Sequence, residues 1–277
     1  MISNLFRLSI SLPLGGEGGS PQARRMRLQR SSHALFLTSS PCDDHVPAGV
    51  KLPCILDRSN GFVDRLAACF KPDSHMVIVA ASPHNHALND EMRETFHNAF
   101  NYHHLTLRDT TLIDSRNERD AARLIALSDV VMLAGGHVPT ELAFFEQLGL
   151  KKLMQGYTGV VMGISAGTMN CAETVYVQPE EAGESVDPGF VRFAPGLGFT
   201  RHMLLPHYQK ARHYWLDGKR LYEEITYGDS HGHTFIAMVD GTYIYQHAGK
   251  AVLCGEAYAI QDGVIRQICA KEQTLEL

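Results

Sequence analysis

No stretch of the 277-residue chain approaches the roughly 20 consecutive apolar residues that a membrane-spanning helix requires. Basic charge is not in excess either. With a formal net charge of −5, the chain has no electrostatic footprint for nucleic acid or an anionic membrane, and small solutes are the expected partners. The cysteines, at positions 42, 54, 69, 171, 254 and 269, form no C-x-x-C pair. That argues against a zinc ribbon and a disulfide framework, and reduced thiols in the cytoplasm are the simplest reading. The histidine groups His84-Asn85-His86, His103-His104 and His231-Gly232-His233 lack the i, i+4 spacing with an intervening glutamate that zincins use. No metal or other cofactor is therefore expected. Internal repeats are missing as well.

What is there suits a buried core. At 44% hydrophobic and 20% charged residues, the length fits one large α/β domain. The first residues read differently: Leu14-Gly-Gly-Glu-Gly-Gly-Ser-Pro-Gln is linker-like, and Arg24-Arg25-Met26-Arg27 is a basic cluster. The apolar run Leu8 to Leu14 is short for a secretory signal, Arg7 sits late, and no convincing small-residue cleavage site follows before the arginines. Residues 1–32 are thus expected to be a disordered extension, and 33–277 a single α/β catalytic domain.

From His33 onward, short β-rich runs alternate with helical stretches, as parallel βαβ units require. Ala34 to Thr38 reads as a first strand, Met76 to Ala81 and Val130 to Leu133 as buried strands. Phe62, Leu66 and Phe70 share a helical face, as do Met92, Phe96 and Phe100. Ala121, Leu124, Ile125 and Leu127 suggest another helix, and Thr140 to Leu148 a further one. In the last third, five β-rich runs are separated by Asp240-Gly241, Ala248-Gly249, Asp262-Gly263 and similar turns, which predict antiparallel hairpins at the sheet edge. The fold class expected is α/β: a doubly wound, mostly parallel sheet flanked by helices, with a β-hairpin-rich C-terminal section.

Chemistry enters at Gly163-Ile164-Ser165-Ala166-Gly167, directly after the apolar run Gly159 to Met162. G-x-S-x-G after a buried strand describes a sharp strand-to-helix turn with a serine hydroxyl at its apex, where only small neighbours fit. The N–H groups just past Ser165 open the helix unpaired and point at whatever the serine attacks. A five-residue pattern is weak alone, because an inert strand-to-helix turn has the same composition, so partners must decide. In an open parallel sheet these gather at the carboxyl ends of strands. Three such loops qualify: Gly135-Gly136-His137, whose glycines let backbone N–H groups approach a ligand; Pro206-His207-Tyr208, which puts an imidazole at a strand end; and Asp240-Gly241, whose carboxylate could fix the imidazole tautomer. Taken singly, each is also compatible with a plain turn or a surface residue.

The chain order Ser165, His207, Asp240 differs from the serine, acid, histidine order of α/β-hydrolases. With the Gly-Gly loop, the elbow, the Pro-His-aromatic segment and the acid-Gly turn in this order, the sequence from about Ala34 onward resembles the dipeptidase E family of serine peptidases. Their fold is class I glutamine amidotransferase-like and includes cyanophycinase. The resemblance implies Ser165 as nucleophile, His207 as general base, Asp240 as third member, and the backbone N–H groups of Gly136 and Ala166 as oxyanion donors. It also implies a small peptide substrate, with an aspartyl dipeptide as the expected one, and leaves room for a homodimer. The family more often has glutamate where Asp240 stands and asparagine where His137 stands. His137 and the Thr168-Met169-Asn170 continuation are expected to line the pocket. A cation that selects the aspartyl group is expected at Arg220, downstream of the histidine as the family's specificity arginine is but at an offset that does not match cleanly, with Arg212 as a rival. The alternatives of the same fold are a glutamine amidotransferase-like enzyme, which needs a cysteine where this chain has Ser165, and a non-catalytic small-molecule-binding protein.

Overall fold

The alternation of β-branched and aliphatic residues in the short apolar runs is compatible with strands buried on both faces, as a covered parallel sheet demands. A computed structural model describes residues 34–43 and 45–277; the extension expected over 1–32 lies outside the described residues. In chain order the principal elements are β1 (Ala34–Thr38), α1 (Phe62–Cys69), β2 (Ser74–Val79), α2 (His86–Tyr102), β3 (Leu107–Ile113), α3 (Ala121–Ala126), β4 (Val130–Leu133), α4 (Val138–Leu148), α5 (Leu150–Leu153), β5 (Val160–Ile164) and α6 (Ala166–Asn170). They continue with β6 (Met203–Leu205), α7 (Tyr208–Ala211), β7 (Thr234–Met238), β8 (Tyr243–His247), β9 (Lys250–Cys254), β10 (Ala257–Gln261), β11 (Val264–Cys269) and β12 (Thr274–Glu276).

The main sheet has the order β12-β9-β8-β1-β5-β4-β2-β3. Its strands β1, β5, β4, β2 and β3 are mutually parallel, while β8, β9 and β12 extend it in antiparallel fashion. Side-chain alternation divides the core in two. Phe36, Met76, Ile78, Met132 and Met162 pack with α1 and α2 on one face. Leu35, Leu37, Val77, Val79, Val131 and Val161 pack with α3, α4 and α5 on the other. Helices on both faces make the sheet doubly wound, as expected.

The C-terminal runs do more than decorate an edge. Strands β6-β7-β10-β11 form a second sheet, with β6 and β7 parallel and the rest antiparallel. Ile236 and Met238 of β7 join the core beneath the main sheet, whereas Phe235 and Ala237 face a third cluster with Tyr176, Tyr208 and Tyr222. Ala248-Gly249 and Asp262-Gly263 are hairpin turns, between β8 and β9 and between β10 and β11. Asp240-Gly241 is not: it carries the chain from the second sheet (β7) to the main one (β8). The strand β3 escaped the sequence reading because Arg108, Asp109 and Thr111 interrupt its apolar pattern on an outer strand. Among the described residues no helix is long and apolar enough to cross a membrane.

Candidate active site

The carboxyl ends of β1, β4, β5, β6 and β7 converge, and each contributes to one cluster. Ser165 follows β5 with φ 50° and ψ −114°, a positive φ that non-glycine residues rarely adopt. The flanking glycines are required by contact. A Cβ on Gly163 would lie 2.9 Å from the backbone of Thr168, and one on Gly167 would run into the carbonyl oxygens of Leu133 and Ala134. The elbow is further pinned by the Ser165 N–H, which donates to the Thr38 carbonyl (3.3 Å), and by the Thr168 hydroxyl, which donates to the same oxygen (2.8 Å).

His207 caps α7 from the left-handed region, φ 57° and ψ 27°. Its Nε2 lies 3.0 Å from Ser165 Oγ and its Nδ1 2.6 Å from Asp240 Oδ1. A carboxylate can only accept, so Nδ1 carries the proton and Nε2 is left to accept from the serine hydroxyl. Asp240 is surrounded by donors: Ser39 Oγ at 2.9 Å and the His207 ring on Oδ1, Gln209 Nε2 at 2.5 Å and Lys210 Nζ at 3.2 Å on Oδ2. Burial opposes ionisation, but the hydrogen bond and charge of His207, with Ser39 and Lys210, hold the Asp240 carboxyl well below the usual carboxylate range. Gln209 also accepts the Asp240 N–H at 3.1 Å, so one amide grips both backbone and side chain of the acid.

The glycine loop after β4 packs against the serine. A Cβ on Gly135 would stand 3.1 Å from Ser165 Cβ, and one on Gly136 would stand 2.7 Å from Ala81 Cβ. Among the described residues the N–H groups of Gly136 and Ala166 have no hydrogen-bond partner, whereas that of Gly167 donates to Ala134.

His137 sits at the N-cap of α4, two residues beyond Gly135. Its ring bridges Thr140 Oγ1 and Glu184 Oε1, each at 2.8 Å. Glu184 in turn accepts the N–H groups of Glu180 and Glu181 through Oε2. Burial raises Glu184, and these N–H groups with His137 outweigh it and keep the carboxyl low. Glu180 is open to solvent, yet enough protein surrounds its carboxyl to push it up to about 7. Burial is the largest cause, the charges of His137 and His207 oppose it, and Glu184 and Glu181 add to it. Together His137, Glu181 and Glu184 bring ligand atoms within 4.8 Å of one another, the one such group among the described residues; Nε2 of His137 and both oxygens of Glu184 already hold hydrogen bonds.

Other expected residues lie elsewhere. Arg220 is exposed and pairs with Glu223 and Glu224. Arg212 sits over the Tyr208 ring, 5.8 Å from its centroid, and bonds His213. Thr168, Met169 and Asn170 do not line the pocket but point into the interior: Thr168 is bound to β1, and Asn170 donates to Val138 and to buried Glu141. Burial holds the Glu141 carboxyl well above its usual range, against the opposing Asn170 hydrogen bond. Ser39, Gln209, Glu180 and Glu184 were not among the sequence candidates; the position of Ser39 at the end of β1 was the one available signal.

A family model, peptidase family S51, matches residues 71–254, which is more than half of the chain. The chain belongs to peptidase family S51. This is the dipeptidase E family, and the protein is a serine-type peptidase. Two solved structures share the fold of this S51 peptidase. One is a peptidase from an acI-B1 Actinobacterium, with 13% identity, a TM-score of 0.59, and 90% of this chain aligned to 98% of that one. Another, from Listeria monocytogenes EGD-e, is described as a candidate peptidase E, with 14% identity, a TM-score of 0.51, and 85% of this chain aligned to 98% of that one. A search of the curated proteins finds no match.

Proposed function

We propose that this S51 peptidase hydrolyses small peptides through an acyl-enzyme on Ser165, with His207 as general base and Asp240 orienting it. The observation that carries the reading is the unbroken row from Ser165 Oγ through His207 Nε2 and Nδ1 to Asp240, at 3.0 and 2.6 Å. His207 takes the hydroxyl proton as Oγ attacks the carbonyl carbon, and Asp240 stabilises the imidazolium that forms. The N–H groups of Gly136 and Ala166 receive the developing oxyanion. His207 then gives its proton to the leaving amine, and water repeats the cycle on the ester.

Aspartyl dipeptides are the first substrates to assay, on the strength of the family. Such a preference needs a cation near the scissile bond, and Arg220 and Arg212 are both engaged on the surface. The carboxyls of Glu180, close enough to His137 and His207 to feel both charges, and of Glu184, bonded to His137, favour a second reading: a peptide whose free ammonium group sits on that side of the cleft. A glutamine amidotransferase reading is disfavoured, since its thiol has only Cys171 available, which is fully buried and whose thiol burial pushes well up.

Ser165→Ala tests the assignment. The variant is expected to fold, to lose hydrolysis of aspartyl and amino-terminal dipeptide substrates, and to lose covalent labelling by a fluorophosphonate. Undiminished turnover in that variant, or activity abolished by a chelator in the unmodified enzyme, would overturn it.

A further inference from the structure

Eleven residues lie between Cys42 and Cys54, and nothing in that spacing pairs them. The structure does. Cys42 opens a two-residue strand, Cys42–Asp43, that lies antiparallel to Ile55–Leu56. This places the Cys54 sulfur 3.1 Å from that of Cys42. Among the described residues no other two cysteine side chains share a hydrogen bond. A disulfide needs about 2.05 Å, so the pair lacks roughly 1 Å of closure, within reach of small side-chain rotations. Cys54 is buried, while Cys42 is partly open to solvent and so accessible to a small oxidant.

We propose that Cys42 and Cys54 are an oxidisable dithiol that forms a reversible intramolecular disulfide, tying the neck of the exposed, proline-containing loop 45–53. With a peroxide as oxidant, the Cys42 thiolate attacks one peroxide oxygen, giving a sulfenic acid and releasing the other oxygen as hydroxide. The Cys54 thiolate then attacks that sulfur. The S–S bond forms, the S–O bond breaks, and a second hydroxide leaves. The two thiol protons convert both hydroxides to water, so two electrons pass from sulfur to peroxide. A small thiol such as dithiothreitol reverses the step by exchange.

The location gives the bond a consequence. The same neck is closed by the Asp57 N–H on the Pro41 carbonyl (2.8 Å), and the adjoining Ser40 carbonyl accepts the N–H of Gly241 (3.3 Å). Gly241 has a φ of +83°, and a Cβ there would meet the Asp57 carboxylate. The loop therefore shares its base with the turn that carries Asp240, and oxidation clamps that base.

The test uses the full chain, treated with hydrogen peroxide, alkylated and digested without reduction. The expected product is a Cys42 peptide joined to a Cys54 peptide with loss of two hydrogens, reversible by dithiothreitol. Oxidation should raise the thermal midpoint by roughly 5 °C, and Cys42→Ser should abolish that shift. Because Cys42 is partly exposed, this variant is expected to fold even if Cys54→Ser does not. Both thiols alkylated after oxidation, cross-links to another cysteine, or an undiminished shift in Cys42→Ser would each overturn the proposal. None of these readouts depends on hydrolysis at Ser165, so the dithiol and the serine mechanism fail separately.

Discussion

The hydroxyl of Ser39 stands 2.9 Å from Oδ1 of Asp240 and donates to it, while accepting the backbone N–H of His207 at 2.8 Å. One wholly buried hydroxyl thereby ties the acid to the backbone that carries the imidazole. Hydrogen bonds to charged groups contribute about 1.5–3 kcal/mol, so Ser39→Ala should lower kcat/KM by roughly tenfold or more, with KM little changed. Steady-state rates of the folded variant check it. An undiminished rate in the folded variant would assign Ser39 to folding alone.

Asp240→Asn keeps the shape of the carboxylate but puts a donor opposite Nδ1, which favours the wrong imidazole tautomer. In comparable triads this costs roughly 10⁴-fold in kcat. Steady-state rates with the same dipeptides check it; a loss under tenfold would remove Asp240 from the mechanism.

Gly136→Ala introduces a methyl group 2.7 Å from the Cβ of Ala81. The loop must shift, taking its N–H away from the oxyanion position, and kcat is expected to fall about 10²-fold. Opening the space with Ala81→Gly in the same chain should restore much of the rate. Failure of that double variant to recover, with both proteins folded, would show that steric displacement is not the cause.

Glu180 has a carboxyl raised from 4.5 to about 7. A group raised on folding adds stability below its unfolded value and withdraws it as pH climbs through the folded one. Glu180→Gln should therefore melt above the unmodified protein at pH 8 and lose that advantage toward pH 4. Solvent screening at this exposed position keeps the difference small. Melting curves across that range decide it, and an advantage that grows toward acid pH would contradict the assignment.

Much of the architecture was legible because buried strands and amphipathic helices announce themselves by periodicity, as β1, β2, β4 and α2 do. The elbow was legible because its glycines are dictated by contacts with Thr168 and with the carbonyls of Leu133 and Ala134. Asp240-Gly241 has the composition of a hairpin turn, and its crossing between sheets depends on which strands pair at long range, which local sequence does not encode. Ser39, Gln209 and Glu184 are common polar residues whose significance comes from neighbours 168, 31 and 47 positions away. The Arg220 expectation rested on an offset from the histidine, and the local Glu224 pair claims that guanidinium instead.

Ser165 and His207 both hold backbone angles with positive φ, a conformation that costs on the order of 1–3 kcal/mol apiece when no glycine occupies it. Heat resistance and turnover thus pull these two positions in opposite directions. Glycine at either would relax the chain while deleting the group that reacts, so a library screened only for survival at high temperature should enrich inert clones at 165 and 207.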